Sequence, residues 1–400
     1  DSAAHPPIEH VGNRGRPQAM VGGIRRYQAT AGVWQVELLS AVHTVDRIYR
    51  SMRGPLERRS LRILELQRPE RVWITACRVQ VVSEDGVTPV SNRFTCHTNI
   101  DRPLHRDAQA VDSSRRDARL FTLSQGQMRI QFPAGFGIPL ASDTELDVVM
   151  QVLNLAPLPA PIRVRHRVTF TVVRAHDSST PLIPLYELGI SALKSVETPA
   201  SGQRASGHSP PGAETSEESR FGKRLWPPID TAALCLPGRM ASIIDHESDR
   251  WGRRVTGHWI LPPGRETLRS SVTHMLDLQR DTTVHFMAVH LHPFAESLEL
   301  FDATVGRRVF ISYARGQTTF PGLRSVETFS SVEGVQIHAD HEYVLNSVYN
   351  NTSGEEQDAM AVLYLYLRDR GRESVPSDGL FPELPWDSDG EPTWTAAGTN

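Results

Sequence analysis

The sequence predicts an all-β protein built from two tandem antiparallel β-sandwiches of jelly-roll type. Short segments rich in β-branched and aromatic residues recur along most of the 400 residues, and turns rich in Pro and Gly separate them. Segments with helical periodicity are few. Many short alternating strands with few helices are typical of antiparallel sandwiches.

The first half of the chain carries the clearest strand patterns. Residues 71–82 are rich in Val, Ile, Thr and Trp, and the turn sequence Ser-Glu-Asp-Gly follows them at 83–86. Further strands are predicted at 121–123, 128–132 and 146–154. Residues 162–172 alternate strictly, so one strand face should carry Ile162, Val164, His166, Val168, Phe170 and Val172. We assign 31–176 to an N-terminal sandwich, preceded by an extension at 1–30.

The composition changes beyond residue 177. Residues 198–220 are rich in Ser, Gly, Pro and Glu, with too few large apolar side chains to offset the entropy of ordering them. The segment 177–225 is therefore predicted to be a linker or insertion, partly disordered. Strand patterns resume at 258–261, 271–278, 283–291, 309–313, 343–349 and 359–367. They predict a C-terminal sandwich over 226–370, followed by an acidic tail rich in Pro and Gly at 371–400.

Composition and charge narrow the functional classes. The chain has 43 Lys and Arg against 46 Asp and Glu, so no basic excess favours binding to nucleic acid. No apolar run approaches the roughly 20 residues of a membrane-spanning helix. The first residues show no signal peptide, but a mature chain whose signal had been removed would look the same. We expect a periplasmic or secreted protein.

Cysteine is scarce and histidine is abundant, with 3 and 16 residues respectively. Cys77, Cys96 and Cys235 form no C-x-x-C pair, which argues against a zinc-thiolate centre. A hairpin would allow a disulfide between Cys77 and Cys96, and pairing of either with Cys235 also stays open. Any metal site is expected to use imidazole and thioether ligands.

The strongest local motif is His-Leu-His at 290–292. Residues two apart on a strand point the same way with Cα atoms about 7 Å apart, so His290 and His292 can bind one ion. Alternation places Val284, Phe286, Ala288 and Phe294 on their face and His285 on the other. Two histidines on a strand are also common as ordinary polar residues, so the context decides between the interpretations.

The context comes from two later segments. Residues 341–354 are predicted to be a strand followed by a polar turn, and 358–367 to be a strand that carries Met360. With the His-x-His motif, this arrangement resembles the C-terminal half of the copper type II ascorbate-dependent monooxygenases, the family of peptidylglycine α-hydroxylating monooxygenase and dopamine β-monooxygenase. The resemblance implies a mononuclear copper held by His290, His292 and Met360, and O2-dependent hydroxylation of a C–H bond presented between the domains. A thioether beside two imidazoles suits Cu(I).

Two features leave this interpretation open. Met360 shares a strand face with Val362, Tyr364 and Tyr366, so it is alternatively a core residue. The family's second copper uses a His-His doublet and a further histidine, whereas Thr75-Ala76 and Leu153 stand at the corresponding positions here. We expect that second site to be altered.

A second histidine group is predicted in the N-terminal half. His97 and His105 lie in one strand-to-loop segment, and His166 on an inward strand face joins them only if the fold brings it there. The three form a replacement metal site, or else a polar loop beside a buried histidine. The alternative function is a non-catalytic periplasmic or extracellular copper-binding or structural subunit of a larger assembly. The sequence does not specify whether a substrate is a small molecule or a peptide.

Overall fold

A computed structural model describes residues 23–102, 119–177, 182–195, 247–248 and 254–368. These residues are mostly strands, which confirms the predicted all-β sandwich fold. The described α-helix is the single turn α1 (Thr273–Leu276), and two 3-10 turns lie at Asn92–Phe94 and Ala175–Asp177. No helix in this part of the chain is long and apolar enough to cross a membrane.

The N-terminal half forms two facing sheets. The larger sheet has eight strands: β1 (Ile24–Thr30), β2 (Val33–Leu39), β3 (His43–Val45), β5 (Arg71–Ser83), β8 (Arg129–Gln131), β9 (Phe136–Ala141), β11 (Ile162–Arg174) and β12 (Ile183–Pro184). The smaller sheet has four strands: β4 (Leu56–Arg62), β6 (Thr95–Asp101), β7 (Arg119–Ser124) and β10 (Glu145–Val152). The larger sheet runs β1-β2-β11-β5-β9-β12, with β3 on β11 and β8 on β5, and the smaller runs β4-β10-β6-β7. Described neighbours are antiparallel except β9 and β12.

The C-terminal half also forms two main sheets. The first contains β13 (Tyr186–Ser191), β19 (Thr282–Leu291), β23 (Phe329–Ile337) and β26 (Ala361–Leu367), in the order β13-β26-β19-β23. The second contains β18 (Gly264–Ser271), β20 (Ala295–Asp302), β21 (Arg307–Gly316), β22 (Leu323–Val326) and β24 (Tyr343–Asn351), in the order β18-β24-β20-β21-β22. Two small sheets comprise β14 (Lys194–Ser195), β15 (Glu247–Ser248) and β16 (Arg254–Thr256), and β17 (Trp259–Leu261) with β25 (Gln357–Ala359).

Alternation explains how β11 covers the first core. Val164, His166, Val168, Phe170 and Val172 are all fully buried, and the residues between them are partly exposed. This is the predicted face of the strand, and it packs against the smaller sheet.

β26 is apolar on both faces because its sheet is covered on both sides. Alternate residues such as Leu363 and Leu365 belong to the C-terminal core. Tyr364 and Tyr366, on the other face, pack into the core of the N-terminal half, where the Tyr366 ring lies 4.9 Å from that of Phe132. Apolar side chains therefore fill the contact between the two sandwiches around β26.

Several boundaries differ from those expected. β1 lies inside the segment 1–30 but pairs with β2 and so belongs to the N-terminal sandwich. β13 lies inside 177–225 but pairs with β26 and so belongs to the C-terminal sheet. The Ser- and Gly-rich stretch 198–220 and the tail 371–400 lie outside the described residues.

Two local predictions in the C-terminal half were wrong. Residues 271–278 are not a strand, because β18 ends at Ser271 and α1 follows, closed by Asp277 in the left-handed region at φ 44°. The alternation along β19 is broken by a bulge between Val284 and Phe286. Val284 therefore faces the C-terminal core, and the ring of His285 stacks on Phe136 of the N-terminal half at 4.1 Å.

The cysteines in the described residues form no disulfide. Cys77 lies on β5 and Cys96 at the start of β6, and these strands belong to opposite sheets rather than to one hairpin. Both thiols are buried, and Cys235 lies outside the described residues.

Candidate metal centre

The His-x-His motif lies where β19 ends. His290 pairs with Val362 of β26, and His292 follows directly after the strand. The chain then turns sharply through Phe294, whose φ is 72°, because the backbone N–H of Ala295 bonds to the His292 carbonyl. The backbone at the end of β19 therefore determines the positions of both imidazole side chains.

Met360 occupies a break between two strands. β25 pairs with β17, whereas β26, one residue beyond Met360, pairs with β19. The Met360 carbonyl accepts hydrogen bonds from the backbone N–H of His292, at 3.3 Å, and from the buried Tyr349 hydroxyl. These bonds hold the main chain of Met360 beside that of His292.

A third histidine joins this group. His258 precedes β17 and is only 2 % exposed, and its Nε2 lies 2.8 Å from Met360 Sδ. Its ring centroid is 5.6 Å from that of His292, and the His290 and His292 centroids are 5.3 Å apart. Two imidazoles that bind one ion through nitrogens at about 2.0 Å have centroids about 5 Å apart at a tetrahedral angle. Both spacings are close to that value.

Asp358 orients His292. Its Oδ2 lies 3.1 Å from His292 Nδ1, so this ring nitrogen is occupied, whereas the buried Nε2 has no hydrogen-bond partner among the described residues. Burial raises the pKa of Asp358, whereas the neighbouring His292 and His258 and a hydrogen bond with Ser51 lower it, and the net shift is downward. A carboxylate on one imidazole nitrogen is the usual support of a histidine whose other nitrogen binds a metal.

His290 is the least satisfied polar side chain of the group. It is 2 % exposed, and neither ring nitrogen has a hydrogen-bond partner in the described part of the chain. Burial, and then the neighbouring His292, holds the pKa of His290 well below 6.5. Burial likewise lowers the pKa of His258 to about 4. Both imidazoles are neutral near pH 7, the form that binds metals.

The donor types fit copper, with one restriction. In their positions in this structure, no three His, Cys, Asp or Glu side chains of the described ranges are placed to hold one metal ion. A site here therefore needs the thioether of Met360 and small movements of the imidazoles. Two imidazoles with a thioether form a soft donor set that favours Cu(I).

A small cavity adjoins the histidines. Its volume is about 40 Å³, and its lining includes Arg50, Cys96, Leu153, His290 and His292. A single water needs about 10–15 Å³ of such volume, so the cavity has room for only one to a few small molecules.

The two described members of the second predicted histidine group have different ring neighbours. His97 is fully buried on β6, with its ring 6.4 Å from that of His290 and its pKa lowered to about 3, mainly by burial. His166 Nε2 lies 3.3 Å from the Phe94 carbonyl, and its ring is 6.2 Å from that of His43. His105 lies outside the described residues, so the three-histidine site stays a prediction.

The sequence alone does not mark His258 as a ligand, because it belongs to no spaced histidine motif. The Pro-Pro turn that follows its strand was visible in the sequence. Its position beside Met360 depends on pairing between segments 102 residues apart. No short motif signals that pairing.

Comparison with known proteins adds little on function. No protein-family model matches the sequence, and no curated protein is significantly similar to it. Among solved structures, the chain is similar to "Crystal Structure of the STIV MCP", with 9% identity over 82% of this chain and 97% of that one, at a TM-score of 0.29.

Proposed function

We propose that this protein binds a mononuclear Cu(I) ion at the junction of its two sandwiches, through His290, His292 and Met360. The observation that carries the proposal is His290, a buried imidazole whose two nitrogens have no partner in the described residues. Each polar group buried without a hydrogen bond costs about 1–3 kcal/mol. A bound ion would pair with one of these nitrogens and with Nε2 of His292.

The surroundings support a metal rather than a structural role for this pair. Asp358 holds His292 by Nδ1 and leaves Nε2 directed elsewhere, as expected of a metal ligand. The bonds from Tyr349 and His292 to the Met360 carbonyl hold the third ligand's backbone in place. When bound, copper would supply one-electron chemistry, and the protein's part is to orient the ligands and exclude water.

A metal-handling role without catalysis is the version best supported. The monooxygenase resemblance implies that a substrate enters between the domains, but apolar side chains such as Tyr366 and Phe132 fill that contact. We propose that the protein is periplasmic or secreted and that it binds copper there without catalysing a reaction.

O2-dependent C–H hydroxylation is the second candidate. It is favoured by the cavity beside His290, whose volume of about 40 Å³ admits a molecule as small as O2. The peptide-sized substrates of the family would require the two sandwiches to move apart.

The test is an anaerobic titration of the metal-free full chain with Cu(I), in competition with a chromophoric Cu(I) chelator. We expect one ion per chain, and loss of binding in His290→Ala and Met360→Ala. The matched controls are His285→Ala and Met287→Ala, which alter buried residues of the same types on β19. Full copper retention in a combined His290→Ala, Met360→Ala variant contradicts the assignment. Ascorbate-driven O2 consumption by the loaded protein supports the second candidate.

A further inference from the structure

We infer that His258 is a fourth protein ligand, which completes His290, His292 and Met360 into a closed set of three imidazoles and one thioether. This inference rests on the proposed copper function. It deepens that function because the number of protein ligands decides whether the ion keeps an open position.

The pairing of β17 with β25 positions His258. The antiparallel register pairs Trp259 with Ala359 and Ile260 with Asp358, so continuing it by one residue sets His258 opposite Met360. The Thr256 hydroxyl donates to the His258 carbonyl at 2.7 Å and accepts from its backbone N–H at 3.2 Å. The backbone of His258 is thereby held from both sides.

The side chain then reaches the other ligands. His258 Nε2 lies 2.8 Å from Met360 Sδ, and its ring spacing to His292 is close to that of two imidazoles on one ion. Nitrogen and sulfur ligands of one ion, at about 2.0 and 2.3 Å, lie about 3.5 Å apart at a tetrahedral angle. The pair would need to separate by less than about 1 Å to admit the ion.

A purely structural explanation is weaker for this contact. A thioether is a poor hydrogen-bond acceptor, so the contact between His258 Nε2 and Met360 Sδ is at most a weak hydrogen bond. His258 is 2 % exposed, and its neighbours include the partly buried Asp358 and the buried His292. A ligand role gives Nε2 a strong partner at the point where it already lies.

A closed set has a functional consequence. In zinc proteins, structural sites use four protein ligands, whereas catalytic sites keep one position open, and we apply the same distinction to a four-coordinate Cu(I) ion. With His258 bound, the ion has no position for O2 or substrate. The site then holds or transfers Cu(I) rather than activating O2.

X-ray absorption spectroscopy of the Cu(I)-loaded wild-type chain is the decisive measurement. We expect three nitrogen scatterers and one sulfur. Two nitrogens and one sulfur, in a protein whose binding depends on His290, overturn the role of His258 and leave the proposed function intact. If the wild type binds no copper, both fail.

Variants supply an independent readout. His258→Ala should lower Cu(I) affinity by at least about 10-fold, since losing even an outer-shell partner costs 10- to 100-fold. His258→Met should recover part of that affinity and exchange one nitrogen scatterer for a second sulfur. His285→Ala serves as the buried-histidine control. Wild-type affinity in folded His258→Ala, checked by circular dichroism, overturns the inference.

Discussion

Replacing His290 by Leu should stabilise the metal-free protein while abolishing copper binding. Both imidazole nitrogens of His290 are buried and lack a hydrogen-bond partner in the described chain. Each such group costs about 1–3 kcal/mol, and removing a polar group in favour of an apolar one of similar size recovers that cost. Two groups give an upper bound of about 6 kcal/mol.

The realistic gain is smaller. The adjoining cavity of about 40 Å³ has room for a water that would satisfy one nitrogen, and repacking around Leu has its own cost. We expect a net gain of about 1–3 kcal/mol in the free energy of unfolding.

Urea unfolding of the metal-free proteins, followed by circular dichroism, measures this difference. The control is His285→Leu on the same strand, which loses a hydrogen bond to the Ser331 carbonyl and the stacking on Phe136. That variant should be destabilised by about 1 kcal/mol. Destabilisation of His290→Leu by as much as the control would refute the interpretation of His290 as a residue kept for binding at the expense of stability.

Three further predictions concern the site and its surroundings. Asp358→Asn should weaken Cu(I) affinity about 10- to 100-fold in the chelator competition, because the carboxylate orients its histidine partner; unchanged affinity would contradict that role. Burial lowers the pKa of His97 to about 3 and of His166 to about 4, below the ordinary 6.5, so the unfolded chain binds more protons once the pH falls below 6.5. The free energy of unfolding of the metal-free protein should therefore decrease as the pH is lowered, by about 1 kcal/mol per histidine at about pH 5.5. Urea titrations at several pH values measure this change. A free energy that does not change with pH would show that these histidines are hydrated. Tyr366→Phe removes a 3.0 Å hydrogen bond to the Leu120 carbonyl at the junction and should lower the free energy of unfolding by about 1 kcal/mol in the same assay. An unchanged free energy of unfolding would show that solvent already competes for this hydrogen bond.

The fold class could be predicted because the strand patterns are strong where a sheet has a buried face. In β11, strict alternation gives the buried face from Val164 to Val172 directly. The same rule failed where the backbone departs from a regular strand. The bulge at 284–286 reverses the alternation in β19, and such bulges depend on tertiary packing rather than local sequence.

The residues of the proposed site could be predicted only in part from the sequence. The spacing of His290 and His292 made them candidates, and the resemblance selected them together with Met360. His258 could not be selected in this way, because only the register between β17 and β25 brings it to Met360. Asp358 could not be selected because carboxylates are frequent, and only its contact with His292 in the folded chain distinguishes it.

The central claim is that His290, His292 and Met360 bind one copper ion. A crystal structure of the anaerobically Cu(I)-loaded protein, with anomalous data collected at the copper edge, tests it most directly. We predict a single anomalous peak bonded to His290, His292 and Met360, at about 2.0–2.3 Å from their donor atoms. A peak elsewhere on the protein, or none at this position after stoichiometric loading, would contradict the claim.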